Sequence, residues 1–132
     1  MQEEHGASIL VVEDDGDVRD TVSAMLENTG FEVETSATGH EAMQHLDNKD
    51  FDLLVTDIGL PDGLSGIDVV RHARHRQPEL RCLFISGAWT PVVCDPELDD
   101  FIAKPFRLTD LVGCVMKVLH GNIPYPRLDI AR

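Results

Sequence analysis

The sequence has 132 residues, of which 42% are hydrophobic, so it supports one ordinary domain with one core but not two. Its formal net charge of −13 argues against nucleic-acid binding by this chain, because phosphate backbones are held by Lys and Arg. No apolar stretch reaches the length of a membrane span and the first residues lack a secretory signal pattern, so we expect a cytoplasmic protein without membrane association.

Five strand signals follow along the chain. Three of them are near-continuous apolar runs rich in Val, Ile and Leu, the pattern of strands buried on both faces of a parallel sheet. Another run alternates apolar with acidic residues, which suits a half-exposed strand nearer an edge. In chain order the predicted strands are SILVVE (residues 8–13), FEVET (31–35), DLLVT (52–56), RCLFIS (81–86) and the short DFIA (100–103).

Helical patterns lie between most of these strands. The first is an apolar stripe that ends near Gly30, and the second begins with capping-box spacing at Thr38. A third begins near Gly66, and the last runs from about Leu108 to Leu119. This alternation of strand and helix indicates a parallel sheet with helices on both faces.

The connection between the fourth and fifth strands, residues 87–99, departs from this alternation. Pro91 and Pro96 leave room for about one helical turn between them, so the fourth helix is predicted to be short or missing. The domain is expected to span residues 1–121. Residues 122–132 carry two further prolines and are predicted to form an extended or disordered tail.

Polar residues follow four of the predicted strands. Ligands of open parallel sheets bind at the carboxyl ends of the strands, so these residues are candidates for one site. Several converging carboxylates repel each other unless a cation lies among them, and oxygen-only ligands favour Mg²⁺. The candidates are Glu13, Asp14 and Asp15 after the first strand, Asp57 after the third, Ser86 after the fourth, and Lys104 and Pro105 after the fifth.

Each of these residues also has a simpler interpretation. Asp57 could be a turn residue, and Asp15 could cap the first helix. Ser86 could be an ordinary turn hydroxyl, and Lys104 an ordinary surface cation. The one basic cluster, RHARHR (71–76), is interpreted mainly as solvated cations near a helix end, with docking of an acidic partner as the alternative.

This set of motifs, in this order, resembles the response-regulator receiver domain, the CheY-like family of two-component phosphorelay signalling, over roughly residues 8–120. The resemblance implies a flavodoxin-like, doubly wound sheet of five parallel strands in the order 2-1-3-4-5. It implies that Asp57 takes a phosphoryl group from a histidine kinase or phosphotransfer protein and that this switches partner binding. Such a chain is a signalling switch and not an enzyme, capable at most of Mg²⁺-dependent self-phosphorylation from a donor and of autodephosphorylation.

The resemblance also implies a metal site. Asp14, Asp57 and the backbone carbonyl of Gly59 match the protein ligands of Mg²⁺, for which Mn²⁺ can substitute. Glu13 matches the acid that acts through water.

The remaining matches concern the phosphoryl group and the response to it. Ser86 matches the hydroxyl and Lys104 the cation that contact the phosphoryl oxygens, and Phe101 lies at the aromatic switch position. Pro105 matches a cis-peptide position.

Three features depart from the family pattern. The loop after Asp57 is one residue longer before Gly66, Phe101 has no hydroxyl, and the connection from Ser86 to Lys104 is short. The short connection puts the usual dimerisation and output face in doubt, so we expect a monomer or weak dimer and leave the downstream target open.

Two other functions stay under consideration. The first is a phosphohydrolase with an aspartyl nucleophile, although Gly59 occupies the place where such enzymes carry a second acid. The second is a degenerate receiver that binds partners without phosphorylation, although every acidic and cationic position is filled.

Overall fold

The computed structural model of the chain describes residues 6–87, 95 and 97–120. The predicted tail and most of the predicted short helix between the fourth and fifth strands, residues 88–94 and 96, lie outside these ranges. The described elements are β1 (Ser8–Val12), α1 (Gly16–Thr29), β2 (Glu32–Ser36), α2 (Gly39–Asn48), β3 (Leu53–Asp57), α3 (Gly66–Arg76), β4 (Arg81–Ser86), β5 (Asp99–Ala103) and α4 (Leu108–Leu119).

The five strands form one parallel sheet in the order β2-β1-β3-β4-β5, as the resemblance implied. Val12 at the end of β1 pairs with Thr56 of β3, and Ser86 at the end of β4 pairs with Ala103 at the end of β5. The carboxyl ends of these strands therefore lie at one edge of the sheet.

Successive residues of the central strands belong to two different cores. Ile9 and Val11 of β1 pack in a cluster with α1 and α4, whereas Leu10 and Val12 pack in a cluster with α2 and α3. Side chains alternate between the faces of a strand, so a strand covered on both faces is apolar at every position. Each fully buried Val or Leu side chain stabilises the fold by about 1.5–3 kcal/mol. Helices on both faces of the sheet are thus confirmed.

The strand ends differ slightly from the sequence prediction. β1 ends at Val12, one residue before Glu13, and β3 extends through Asp57, which pairs with Ile85 of β4. The Glu13 amide still donates a hydrogen bond to the Ser36 carbonyl at 3.0 Å. The sheet therefore holds the backbone of both acids.

Candidate functional site

The turn between β1 and α1 carries three acids in different roles. Glu13 is 1% exposed, and its Oε2 accepts a hydrogen bond from the Asp15 amide at 3.1 Å. Arg19 reaches back from α1 and donates from its guanidinium to the Glu13 carbonyl at 2.8 Å. Asp15 Oδ1 accepts two backbone amides of the first turn of α1, at 3.0 and 3.2 Å. Asp15 is therefore the helix cap, and Glu13 and Asp14 remain for the site.

Asp57 ends β3 in a closely packed backbone environment. The residue as a whole is 5% exposed. The amide of the next residue, Ile58, donates a hydrogen bond to the Ile85 carbonyl at 3.1 Å. Gly66, the first residue of α3, lies directly against it: a Cβ there would be 2.2 Å from the Asp57 carbonyl oxygen. Only glycine fits at this contact, so the longer loop still returns the chain to a glycine beside Asp57.

The site brings together carboxylates from two strand ends. Oxygens of Glu13, Asp14 and Asp57 all lie within 4.8 Å of one another, with Glu13 and Asp57 buried and Asp14 exposed. In the described part of the chain, Glu13 Oε1 and Asp57 Oδ1 are buried, and both depend on the same Lys104 ammonium for compensation of their charge. Buried charged oxygens in this state call for a cation, and an all-oxygen set suits Mg²⁺. The residues present therefore fit that ion.

Lys104, in the turn after β5, supplies a positive charge to the same oxygens. Its Nζ is 3.2 Å from Asp57 Oδ1 and 3.6 Å from Glu13 Oε1. Burial alone would lower the pKa of Lys104, but the charge of Asp57, followed by that of Glu13, outweighs burial and raises it. Lys104 is accordingly a firmly protonated cation within the acidic site.

The pKa of Glu13 is raised, whereas a salt bridge alone would lower the pKa of an acid. Burial, followed by the hydrogen bond with Asp57, raises the pKa of Glu13 from 4.5 to about 7, although the Asp15 amide and Lys104 oppose the change. A single ammonium group does not compensate both buried carboxylates. The site therefore favours a further cation.

Ser86 and Phe101 lie beside this cluster on the neighbouring strands. The Lys104 amide donates to the Ser86 carbonyl at 2.8 Å, which ties the end of β4 to the turn that carries Lys104. The Phe101 ring is 38% exposed and stacks on the buried Phe84 ring with centroids 5.3 Å apart. The Lys104–Pro105 peptide bond is cis.

An apolar groove of about 610 Å³ runs beside the site, between α1 and the turn that leads into α4. Lys104 is one of its lining residues, so the groove borders the acidic cluster. Its lining residues are Asp17, Val18, Thr21, Val22, Lys104, Pro105, Phe106 and Leu108.

The interpretation of the basic cluster of α3 as solvated cations is wrong for Arg74, whereas Arg71, His75 and Arg76 are exposed as expected. The Arg74 guanidinium lies 2.5 Å from Oδ1 of Asp99, whose side chain is fully buried, and also donates to the Leu80 carbonyl at 2.7 Å. Arg76 pairs with Asp50 at 3.0 Å. No local pattern marks Asp99 as the partner of Arg74, because the pairing depends on the fold.

Sequence reasoning also missed Arg19. Its guanidinium donates back to the carbonyl of Glu13, which precedes α1, and no short sequence motif predicts this contact. Gly66, in contrast, could be found from the sequence, because a glycine at the start of a helix after a buried strand indicates a close backbone approach.

None of the described helices combines the length and apolar character that crossing a membrane requires.

Comparison with known proteins gives a consistent result. The sequence model of the response regulator receiver domain matches residues 9–116. The chain is 36% identical over 116 residues to the response regulator receiver protein CpdR of Brucella abortus (strain 2308), covering 84% of this chain and 95% of CpdR. It is 30% identical over 121 residues to the cell cycle transcriptional regulator CtrA of Caulobacter vibrioides (strain NA1000 / CB15N), covering 86% of this chain but 51% of CtrA.

The fold has solved counterparts as well. The crystal structure of a response regulator receiver protein from Sinorhizobium medicae WSM419 superposes with a TM-score of 0.78 at 26% identity, covering 87% of this chain and 95% of that one. Sequence and sheet order therefore agree. The chain belongs to the response regulator receiver domain family of two-component signalling.

Proposed function

We propose that this chain is a phosphoacceptor switch in which Asp57 takes a phosphoryl group from the phosphohistidine of a histidine kinase or phosphotransfer protein. One observation carries the proposal: the Asp57 carboxylate is buried among acids within 4.8 Å and lies 3.2 Å from the Lys104 ammonium. Receiver domains are signalling switches and not classical enzymes. Asp57 is accordingly both the nucleophile and the group that is modified.

The transfer needs positioning and charge neutralisation more than a base. A carboxylate oxygen of Asp57 forms the new oxygen–phosphorus bond while the phosphorus–nitrogen bond of the donor breaks and its electron pair returns to the imidazole. A carboxylate already ionised has no proton to lose. Lys104 neutralises charge on the transferring group, and the sheet keeps the Asp57 backbone in place.

Mg²⁺ would be held by Asp14, Asp57 and the Gly59 carbonyl, with Glu13 acting through water; Mn²⁺ can substitute. The buried oxygens of Glu13 and Asp57, which share a single ammonium group, support this assignment. When bound, the ion supplies positive charge beside the phosphoryl oxygens. Glu13 would then be held ionised, since a cation opposes the effect of burial on its pKa.

Ser86 and Phe101 would change position in response to the phosphoryl group. It adds about −1.5 to −2 of charge at the end of β3. The Ser86 hydroxyl is on the adjacent strand, and its backbone is hydrogen-bonded to Lys104. A shift of Ser86 towards the phosphoryl group would change the space beside Phe84, on which the half-exposed Phe101 ring stacks. Without a ring hydroxyl, Phe101 would respond through packing alone.

The alternatives are weaker. A phosphohydrolase needs a second acid near the nucleophile, and the residue two positions after Asp57 is Gly59. A degenerate receiver is expected to have lost some of the acids or the cation, whereas here they are in contact. The relatives named above are response regulators, and none of their names indicates a hydrolase.

The proposal is tested by intact-mass measurement after incubation with Mg²⁺ and a small acyl phosphate donor. We expect the wild type to gain one phosphoryl group and Asp57→Asn to gain none. Asp15→Ser is the matched control: it removes a neighbouring acid but retains a capping side chain, so it should be phosphorylated like the wild type.

Two results would contradict the proposal. An unchanged mass of the wild type would favour the degenerate receiver. Sustained turnover of an added phosphomonoester would favour the hydrolase.

For location and assembly, we retain what the sequence led us to expect. We propose a cytoplasmic switch that is a monomer or weak dimer and acts on a protein target. The net charge of −13 supports a partner other than nucleic acid. The autodephosphorylation expected of such a switch would appear as loss of the added mass over time.

A further inference from the structure

The loop between β3 and α3, residues 58–65, is here called the acceptor loop. Its two ends are paired with each other: Gly59 forms an antiparallel bridge with Ser65, and the Gly66 amide donates to the Ile58 carbonyl at 2.7 Å. Ser65 is further fixed by reciprocal hydrogen bonds with Asp68 at the start of α3. The bridge links Gly59 to Ser65, so a displacement of the returning half of this longer loop would move Gly59 with it.

Asp62, near the tip of the loop, is anchored to the N-terminus of α2. Its Oδ1 accepts the Gly39 amide at 3.3 Å, and its Oδ2 accepts the His40 amide at 2.9 Å and contacts His40 Nδ1 at 2.6 Å. The hydrogen bond from the His40 amide, with those from the His40 side chain and the Gly39 amide, lowers the pKa of Asp62 to about 2, although burial opposes the change. The anchor thus stays charged over the whole physiological range.

A packing contact supports the same attachment. A Cβ built on Gly39 would lie 3.0 Å from both Cβ and Cδ1 of Leu64, so the missing side chain of Gly39 is what allows Leu64 to rest on α2. The loop is therefore held against α2 by one charged and one apolar contact, from residues on either side of Gly63. Together, the two contacts hold the loop in place on α2.

From this geometry we propose that Asp62 is a positioning residue for the metal site: by clamping the acceptor loop to α2, it holds the Gly59 carbonyl where Mg²⁺ is bound. The inference rests on the proposed function, which makes this carbonyl a ligand. A ligand on a loop that is already ordered binds more tightly than one that must be ordered by the ion, because the entropy of ordering is lost beforehand. The extra residue of the loop makes such a clamp necessary.

The test is a calorimetric titration of the full chain with Mg²⁺ alone. We expect Asp62→Ala to weaken Mg²⁺ binding about tenfold, the lower range for residues that orient metal ligands. Asp62→Asn retains an oxygen that can accept one of the amides, so its affinity should be intermediate. At saturating Mg²⁺ the rate of phosphorylation by a small acyl phosphate should stay within about twofold of the wild type, because the nucleophile and Lys104 are untouched.

Thr38→Ala is the matched control. Thr38 caps the same helix through its hydroxyl, which accepts the Glu41 amide at 3.1 Å, but it makes no hydrogen bond to the acceptor loop among the described residues. It should lower the melting temperature to a similar extent as Asp62→Ala while leaving Mg²⁺ affinity unchanged. An equal loss of affinity in both variants would mean that Asp62 acts only through helix stability, which overturns the proposal.

The remaining outcomes separate this inference from the proposed function. If the wild type binds Mg²⁺ and is phosphorylated but Asp62→Ala binds Mg²⁺ equally well, only the clamp is refuted. If the wild type binds no Mg²⁺, both proposals fall.

Discussion

Nζ of Lys104 lies 3.2 Å from Oδ1 of Asp57, although β4, β5 and their connection separate the two residues along the chain. The same nitrogen is 3.6 Å from Oε1 of Glu13. The Lys104 ammonium thus lies close to two buried carboxylates, one directly after β1 and one at the end of β3. This arrangement leaves a deficit of positive charge, which favours a further cation.

Replacing Lys104 with Gln should slow phosphorylation of Asp57 by about 100-fold, the usual loss when one donor to a developing charge is removed. Mg²⁺ affinity should not fall, because the variant removes a charge that repels the ion. Rates with a small acyl phosphate and Mg²⁺ titrations measure the two effects separately. Lys117→Gln is the control, since it removes an equal charge from α4, where Lys117 pairs with Asp100 at 3.2 Å. An undiminished rate in Lys104→Gln would contradict the assigned role.

The stability of the metal-free chain should depend on the ionisation of Glu13. Its pKa is raised from 4.5 to about 7, first by burial, so the folded state binds the proton more tightly than the unfolded state. The resulting stabilisation is complete below about pH 4.5 and is lost as the pH rises through about 7. The size of this term is on the order of 2 kcal/mol.

Urea unfolding in the presence of a chelator, repeated across this pH range, measures the effect. The difference between the wild type and Glu13→Gln isolates the contribution of Glu13 from that of other groups. Saturating Mg²⁺ should flatten the difference, since the ion stabilises the ionised carboxylate. A pH profile of the wild type parallel to that of Glu13→Gln would rule out the raised pKa.

Gly66→Ala should destabilise the fold by about 3 kcal/mol and impair phosphorylation. The added Cβ would be 2.2 Å from the Asp57 carbonyl oxygen, so either α3 or the end of β3 must move. Gly113→Ala is the control, because nothing lies within 4 Å of a Cβ at that exposed helical position, and it should raise stability by about 1 kcal/mol. Urea unfolding and intact mass after phosphorylation are the measurements. Wild-type stability in Gly66→Ala would show that the contact can relax.

Thr21→Arg should slow phosphorylation by a donor protein but not phosphorylation by a small molecule. Thr21 is exposed on α1 and lines the same groove as Lys104, so a surface that presents a phosphohistidine to Asp57 would cover it. Transfer from a histidine-phosphorylated donor protein should slow at least about tenfold, because a bulky charge at an interface is costly. Phosphorylation by a small acyl phosphate should be unchanged.

Ala24→Arg is the control for that experiment. Ala24 is also exposed on α1, but it does not line the groove. If Thr21→Arg and Ala24→Arg slow the donor protein equally, the groove is not where the donor docks.

Much of this architecture could be predicted from local patterns. The apolar runs of β1, β3 and β4 predicted buried parallel strands, because only a strand covered on both faces is apolar at every position. The acids and Lys104 were predicted to share one edge, because parallel strands place their carboxyl ends together. Both predictions depend on rules that act within a few residues or follow from strand direction alone.

Several contacts between distant parts of the chain required the tertiary structure. Arg74 was predicted to be solvated, yet it pairs with Asp99, and Asp62 was an unremarked loop residue, yet it accepts three hydrogen bonds from α2. Each of these contacts joins elements far apart in the chain. Their geometry depends on how helices pack against the sheet, which no local pattern encodes.

Chain order and hydrophobic pattern alone determined that the acids and Lys104 would lie at one edge, because strands joined by helices run parallel and end on the same side of the sheet. Whether they would meet closely enough to share a cation was decided by packing. Gly66 against Asp57 and the Lys104 amide bonded to Ser86 set these distances, because tenths of an ångström in a close-packed interior depend on every neighbouring side chain.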